Sequence, residues 1–134
     1  MQFLKRVKLK VKRGDKMDFN TTIQALKNNN ELCNLLAEGK KSIYHLKSKD
    51  AGTYPILILS IISDVPESVS DNKEILHRIT LRIHIVTENG AYTNIYRKLN
   101  NIMNELGYNR RQTTELIDDD LFIKVCDYTI VTEV

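Results

Sequence analysis

Hydrophobic and polar positions change their period several times in the middle of the chain. Residues 55–62 form a continuous apolar run, which predicts a strand covered on both faces. Residues 63–74 are polar and acidic and contain the breaker Pro66, so they predict a long loop of the kind that is often functional. In residues 75–85, isoleucine and leucine alternate with arginine, threonine and histidine, which predicts a strand with one buried side and one solvated or partner-facing side. Apolar residues then recur every three or four positions over residues 92–106, which predicts a helix that packs on the sheet.

Two further helices are predicted nearer the amino end. Residues 18–28 favour a helix that Asp18 or Asn20 caps. Asn30 is placed to cap a second, short helix that ends near Gly39. Both helices carry leucines at inward-facing spacings, so both are expected to cover the sheet.

Strand-like patterns account for most of the rest. Residues 43–46 predict a short strand, and Gly107 is a suitable residue to end the long helix. Residues 108–116 and 121–132 predict the last two strands, which Asp118-Asp119-Asp120 joins by a turn. The elements together predict an α+β fold: an antiparallel sheet of four to five strands with two or three helices packed on one face.

The positive charge of the chain is confined to its amino end. Of the net charge of +3, residues 1–16 contribute +6 and residues 17–134 contribute −3. A basic arm of this kind suits nucleic acid or an anionic surface, and it is equally typical of a solvated tail. We therefore divide the chain into a basic extension at residues 1–16 and a single domain at residues 17–134, with the hypothesis that Met17 is the native start.

The sequence predicts no catalytic, cofactor or metal site. Cys33 and Cys126 lack the spacing of a metal or redox motif, so they are expected to be free thiols of a reducing cytoplasm. His77 and His84 have opposite parity on one strand and therefore point to opposite faces, although His45 could approach either. The sequence has no nucleophile elbow and no glycine-rich phosphate loop. No apolar run approaches the roughly 20 residues that a membrane-spanning helix needs. We expect a non-enzymatic protein without cofactor, metal or membrane segment.

Charged residues on one predicted strand are the candidates for an interaction surface. Arg78, Arg82 and His84 form a basic row on its outer side, and Arg110 and Arg111 add charge nearby in the sequence. One interpretation of this row is a solvated charged face. The other is an intersubunit surface that faces the carboxylates of a neighbouring copy, which suits the acidic total of residues 17–134. The candidate carboxylates are Asp64, Glu67, Asp71, Asp118 and Asp119.

Four parts of residues 17–134 follow one another in a distinctive order. They are DFNTTIQALKNNNELCNLL, then YPILILSIISDVPE with SDNKEILHRITLRIHIVT, then GAYTNIYRKLNNIMNELGYNRR, and last DDDLFIKVCDYTIV. In this order and spacing the chain resembles the tail terminator, or tail-completion, proteins of long-tailed bacteriophages and prophages. The resemblance covers about 118 of the 134 residues and leaves residues 1–16 outside.

The resemblance implies a structural role in virion assembly. Proteins of this kind form a ring, often a hexamer, at the head-proximal end of the tail tube, where the ring stops tube growth and joins the tail to a filled head. For this chain the implied partners are further copies of itself, the major tail tube protein and a head connector protein, with DNA meeting the ring only in its lumen. The implied location is the host cytoplasm during assembly and then the virion tail.

Two other functions stay open from the sequence. The first is a head-tail connector component that adapts or plugs the portal side. The second is a small nucleic-acid-binding regulator that uses the basic arm at residues 1–16. The net charge of −3 over residues 17–134 makes phosphate binding by that domain unfavourable, so this second alternative depends on the basic extension at residues 1–16.

Overall fold

Three α-helices and five strands follow one another in residues 17–48 and 52–134, which are the residues that this computed structural model describes. The basic extension predicted at residues 1–16 lies outside them. The helices are α1 (Phe19–Lys27), α2 (Asn30–Cys33) and α3 (Thr93–Glu105), and a 3-10 turn spans Gly39–Ser42. The strands are β1 (Ile43–His45), β2 (Ile56–Ser70), β3 (Lys73–Thr87), β4 (Asn109–Asp118) and β5 (Leu121–Glu133).

The five strands form one mixed sheet in the order β1-β2-β3-β5-β4. This confirms the α+β class and the predicted number of strands, but the expectation of a purely antiparallel sheet is wrong in one pair. Strand β1 runs parallel to β2, with Ile43 beside Leu57, whereas the other three pairs are antiparallel. The segment between His45 and Ile56 is too long for a tight hairpin, and parallel neighbours need such a crossover.

The helices pack on one face of the sheet, as predicted. Residues of one parity on the central strand, Leu81, Ile83 and Ile85, are almost completely buried beneath them. Side chains of one parity share a face because successive residues of a strand point to opposite sides. The rest of this core comes from α1, α2, α3 and the neighbouring strands, and includes Leu26, Leu32, Leu57, Leu59, Ile95, Leu99, Met103, Cys126 and Tyr128.

Buried hydroxyl groups connect the helical layer to the sheet. The hydroxyls of Tyr108 and Thr22 lie 2.8 Å apart and join the start of β4 to α1. The Tyr128 hydroxyl donates to the amide oxygen of Asn100 on α3 at 3.2 Å. Among the described residues, every buried side-chain nitrogen or oxygen has a hydrogen-bond partner. These bonds set the position of the helices on the sheet, since a buried hydroxyl that lost its partner would be costly.

The predicted helix ends are confirmed at Asp18 and Gly107, whereas both ends of the second helix differ, since it ends at Cys33 and not near the predicted Gly39. The Asp18 carboxylate accepts a hydrogen bond from the Thr21 amide at 2.7 Å, and this backbone contact lowers the pKa of Asp18. Gly107 follows α3 with φ of 99°, a conformation that glycine adopts without strain. The second helix is capped by Asn29 and not by the predicted Asn30, because Asn29 is the residue with extended backbone.

The polar segment at residues 63–74 is a strand hairpin, so the prediction of a long loop is wrong. Strand β2 continues to Ser70, and β3 already begins at Lys73. Asp71 and Asn72 have φ of 53° and 62°, as the two central residues of a type I′ turn require. A tight turn of this kind lets the polar residues on both sides pair as strands, which composition alone did not indicate.

Pro66 does not break β2, because this part of the strand lies at the edge of the sheet. Strand β1 pairs only with the first residues of β2, so from Ser60 onward no strand lies outside β2 in the described part of the chain. A proline is tolerated on such an edge, where its missing N–H leaves no gap in the ladder. The apolar run is buried on both faces only at its start. Ile61 and Ile62 are exposed, and they lie on the part of β2 that has no outer neighbour among the described residues.

The turn between β2 and β3 gives a direct test of the long hairpin. We expect Asn72→Val to lower the free energy of unfolding by about 1–2 kcal/mol, because a β-branched residue resists the left-handed conformation. Asn72→Gly is expected to keep or slightly raise the stability. Urea unfolding measures both, with Ser70→Val as the control at an extended position. Equal stability of Asn72→Val and the unchanged chain would contradict the turn.

Candidate interaction surface

The side of the sheet opposite the helices carries the basic row that the sequence predicted. Arg78, Arg82 and His84 share this side of β3 because they have the same parity. The guanidinium group of Arg82 donates two hydrogen bonds to Asp127 of β5, Nε to Oδ1 at 2.8 Å and Nη2 to Oδ2 at 2.9 Å. Gln112 of β4 donates a third to the same carboxylate at 3.1 Å. Arg82 is therefore bridged to two further strands within one chain.

Burial and hydrogen bonding shape the charges of this row. Asp127 is 4% exposed, and its hydrogen bond from Arg82 lowers the pKa of the carboxyl group. The same contact raises the pKa of Arg82. Burial lowers the pKa of His84, and the nearby Arg82 charge lowers it further. At neutral pH the row therefore presents a compensated arginine and a neutral imidazole, not a concentrated positive charge.

Side-chain hydrogen bonds join the two strands of the hairpin beyond β1. We call this part, residues 61–79, the arm. His77 Nδ1 lies 2.7 Å from Asp64 Oδ1, and Arg78 Nε donates to Glu67 Oε1 at 2.8 Å. The hydrogen bond between Arg78 and Glu67 lowers the pKa of the glutamate and raises that of the arginine. Asp64, Glu67 and Arg78, which the sequence placed opposite a neighbouring copy, thus have partners in their own chain.

The other predicted residues lie apart from the row. Arg110 donates to the Tyr96 hydroxyl of α3, and its guanidinium carbon is 6.0 Å from the centre of that ring. Arg111 is exposed at a register shift of β4. Asp71 lies in the turn of the arm, and the predicted aspartates of the β4–β5 turn are exposed at the other end of the sheet. The ten candidate residues therefore do not form one continuous surface.

A group of aromatic and charged side chains beside the start of α3 was not predicted. The Lys124 ammonium lies 4.7 Å from the ring centre of Tyr96 and 5.6 Å from that of Tyr92. The Tyr92 hydroxyl donates to Glu115 Oε2 at 2.6 Å, and burial together with this bond raises the pKa of Tyr92 to about 12. The parity of Lys124 on β5 could have located the group, since it directs this lysine toward the helices.

Exposed apolar side chains lie on both strands of the arm, Ile61 on the side of the sheet that faces the helices and Val65 on the opposite side. We call them together the arm patch, and its members are 43–59% exposed. Exposed apolar clusters of this kind often mark protein–protein contacts. The sequence interpretation missed the patch because it assigned part of it to a covered strand and part to a polar loop. The arm patch consists of Ile61, Ile62, Val65, Val69 and Ile75.

A second exposed apolar group lies at the β4–β5 turn. Leu116, Ile117 and Phe122 are 42%, 67% and 37% exposed, and we call them the turn patch. Asp119 and Asp120 between them have φ of 48° and 65°, which confirms the turn predicted from the three aspartates. An apolar pair directly before this acidic turn and an aromatic residue after it were the available sequence signals.

The arm patch and the turn patch lie at opposite corners of the sheet. Strand β4 forms one edge, and β3 and β5 separate it from β2. Thr87 pairs with Phe122 at one end of β3, whereas Leu76 pairs with Glu133 near the other end, where the arm turns. A protein with two different patches on opposite sides can contact a different neighbour with each.

The edges of the sheet carry features that hinder simple strand pairing. Register shifts interrupt β2 between Ile61 and Ser63 and again after Pro66, which itself has no N–H to donate. Strand β4 has its own shift next to Arg110. Bulges, prolines and charges on edge strands limit uncontrolled association through the backbone. Side-chain contacts through the two patches are therefore better candidates for a specific interface.

Two open depressions lie on the helical side of the molecule. They have volumes of about 320 and 280 Å³ and share Lys27, Asn28 and Lys40 in their lining. Their walls consist of surface amines and amides together with Cys33, whose pKa is raised by burial. Surface lysines alone do not define a ligand, so the patches remain the stronger candidates.

Comparisons with known proteins identify no family for this chain. No protein-family model matches the chain, and no curated protein matches it. Among the described residues, no helix is both long and apolar enough to cross a membrane. The sequence pattern and the positions of the two patches are therefore the features from which a function can be inferred.

Removing the Arg82 guanidinium group tests the role of the bridged pair. We expect Arg82→Met to lower the free energy of unfolding by about 3 kcal/mol at neutral pH, because Asp127 stays buried without its counter-ion. The low pKa of Asp127 in the fold stabilises the protein above the unfolded aspartate pKa of about 4, and this contribution is lost as the pH falls through the folded pKa. Urea unfolding at several pH values should show the difference shrinking in acid.

Two further variants control this experiment. Arg78→Met removes an arginine of the same row whose pair with Glu67 is exposed, so its effect should be small. Combining Arg82→Met with Asp127→Leu should recover much of the lost stability, because no unpaired charge stays buried. A loss for Arg82→Met that is as large in acid as at neutral pH would contradict the electrostatic explanation.

Proposed function

We propose that this chain is a structural tail-assembly protein of a long-tailed bacteriophage or prophage, which caps the head-proximal end of the tail tube and joins the tail to the head. The resemblance of residues 17–134 suggests the class. The observation that carries the proposal is the position of the arm patch and the turn patch at opposite corners of one sheet. This arrangement suits a protein that works as one member of a closed ring.

Ring formation follows from a contact between two different surfaces. When the arm patch of one copy meets the turn patch of the next, each copy still has one patch free for another neighbour. A repeated contact of this kind closes into a ring if its rotation closes, and otherwise continues as a filament. A two-fold contact, by comparison, would use the same patch twice and would stop at a dimer.

The charges of the sheet support an apolar contact in the ring. Arg82 and Arg78 are compensated within the chain by Asp127 and Glu67, so a neighbour has no need to neutralise them. Exposed charges beside the turn patch, such as Asp118 and Asp119, belong to the rim of the contact. Rim charges of this kind guide association and orientation more than they add affinity.

A ring of this design also accounts for the end of tube growth. One of its two faces binds the last layer of major tail tube protein. The opposite face offers no copy of the contact that tube subunits use, so polymerisation stops there, and this face is free to bind a head connector protein. The function is carried out in the host cytoplasm during assembly and then at the head-proximal end of the virion tail.

Charged substitutions in the two patches test the ring directly. We expect Ile62→Asp and Ile117→Asp each to abolish assembly, because each places a charge in an apolar contact. Native mass spectrometry and light scattering, with and without added tail tube protein, measure the oligomers. Asn101→Asp on the exposed side of α3 is the control and should assemble like the unchanged chain. Undiminished rings from both patch variants would contradict the proposed contact.

A mixture of the two patch variants distinguishes a contact between different surfaces from a two-fold contact. Ile62→Asp keeps an intact turn patch, and Ile117→Asp keeps an intact arm patch. The mixture should therefore form one-to-one dimers that cannot close a ring. Dimers of either single variant alone would instead point to a two-fold contact.

The role in the virion is tested by electron microscopy of particles made without the protein. We expect overlong tails or tails that are not joined to heads, because nothing then stops the tube or presents a docking face. Supplying the unchanged chain should restore joined tails of normal length, whereas Ile117→Asp should not. Tails of normal length together with leaking heads would overturn the proposal in favour of a connector adaptor.

A further inference from the structure

Three side chains that can bind metal ions converge on the arm. A carboxylate oxygen of Asp64, a carboxylate oxygen of Glu74 and a ring nitrogen of His77 all lie within 4.8 Å of one another. We propose that these residues bind a divalent transition-metal ion, with Zn²⁺ as the preferred ion. The proposal concerns the arm alone and does not depend on the assembly function.

The spacing of the three groups is close to what Zn²⁺ requires. Zinc binds imidazole nitrogen at about 2.0–2.1 Å and carboxylate oxygen at about 2.0–2.2 Å, so tetrahedral ligand atoms lie roughly 3.3 Å apart. His77 and Asp64 are already in contact at 2.7 Å. Asp64 and Glu74 are exposed, so both can rotate toward the ion without disturbing the core. Binding thus needs side-chain movements only.

The donor set determines which ions fit. One imidazole nitrogen with two carboxylates suits zinc, copper, nickel or cobalt, whose affinities follow the usual order for divalent ions. Magnesium demands near-octahedral oxygen coordination, and calcium takes six to eight oxygens, so neither is favoured by this group. Three protein ligands leave a coordination position for water, as in open zinc sites.

The sequence analysis did not predict the group of Asp64, Glu74 and His77, because it tested only whether two histidines could bind the same ion. His77 and His84 cannot do so, but a single histidine with two carboxylates can also make a site. Asp64 lies on β2, whereas His77 and Glu74 lie on β3 and come close to it only because residues 63–74 are paired as strands. The long hairpin is therefore what brings the three side chains together.

The position of the ligands gives the ion a structural effect on the arm. Asp64 belongs to β2, whereas Glu74 and His77 belong to β3, so one ion would link the two strands. The ladder between these strands shifts register at Ser68, between the Asp64–His77 contact and Glu74. Strand β5 accompanies β3 only as far as Leu76. A bound ion would therefore hold together the part of the arm that has the fewest neighbours.

Titration of the full-length chain with ZnCl₂ tests the site. Calorimetry should show a single Zn²⁺ site, and Co²⁺ at the same site should give the visible absorption of a low-symmetry, four- or five-coordinate ion. We expect His77→Gln, Asp64→Asn and Glu74→Gln each to weaken Zn²⁺ binding by at least about tenfold, since each removes a ligand. MgCl₂ at the same concentration should not compete.

Matched controls separate this site from adventitious binding to histidine. His45→Gln removes an exposed histidine outside the arm, and it should bind Zn²⁺ like the unchanged chain. Zinc should also raise the urea midpoint of the unchanged chain but not that of Glu74→Gln, because only a bound ion stabilises the folded state. Glu74→Gln changes an exposed side chain and leaves the apolar core intact, so its folding can be verified from the same curves.

Retention of full Zn²⁺ affinity in His77→Gln and Glu74→Gln would overturn the proposal and leave Asp64 and His77 as a simple hydrogen-bonded pair. Loss of affinity in His45→Gln as well would overturn it too, because binding would then not be specific to the arm. Neither result would affect the ring proposal, which depends on the oligomers formed by the patch variants.

Discussion

The alternation of side chains on β3 sets the register of its neighbouring strands and the face that the helices cover. This strand lies between β2 and β5 over most of its length. A shift of one residue would move Leu81, Ile83 and Ile85 out of the core and bring Arg82 into it. The Arg82–Asp127 pair on the opposite face would be broken by the same shift. Apolar burial on one face and a bridged ion pair on the other therefore specify one register together.

The arginines of the basic row are neutralised by carboxylates of the same chain, so the row is not a strongly positive surface. A row of arginines and a set of carboxylates looked like two halves of an intermolecular contact. In the fold, Arg78 and Arg82 meet carboxylates of their own chain, because neighbouring strands place them within hydrogen-bond distance. An arginine that already has its carboxylate gains little from a second one. The exposed apolar side chains at the two corners of the sheet are therefore the larger surface that is still available for contact with another protein.

The arm combines a projecting surface with features that keep its backbone from pairing freely. Its two strands are joined by the side-chain hydrogen bonds of His77 with Asp64 and of Arg78 with Glu67, and its outer edge contains Pro66 and two irregular positions. Such an edge resists uncontrolled sheet extension, while its side chains stay available for a specific neighbour. The same hairpin brings Asp64, Glu74 and His77 together, so the geometry that presents the apolar patch also creates the cation site proposed for the arm.

The helices, most of the strands and the buried face of the sheet could be predicted from local patterns, because period, capping and turn chemistry depend on neighbours along the chain. Asp18 and Gly107 are examples, since each marks a helix end through its own backbone conformation. The strands at residues 63–74 could not be predicted in this way, because pairing across the hairpin stabilises them in spite of their polarity. The pairing of Arg82 with Asp127, 45 residues away in sequence, could not be predicted either. Such partners are chosen by the order of strands in the sheet, which no local pattern contains.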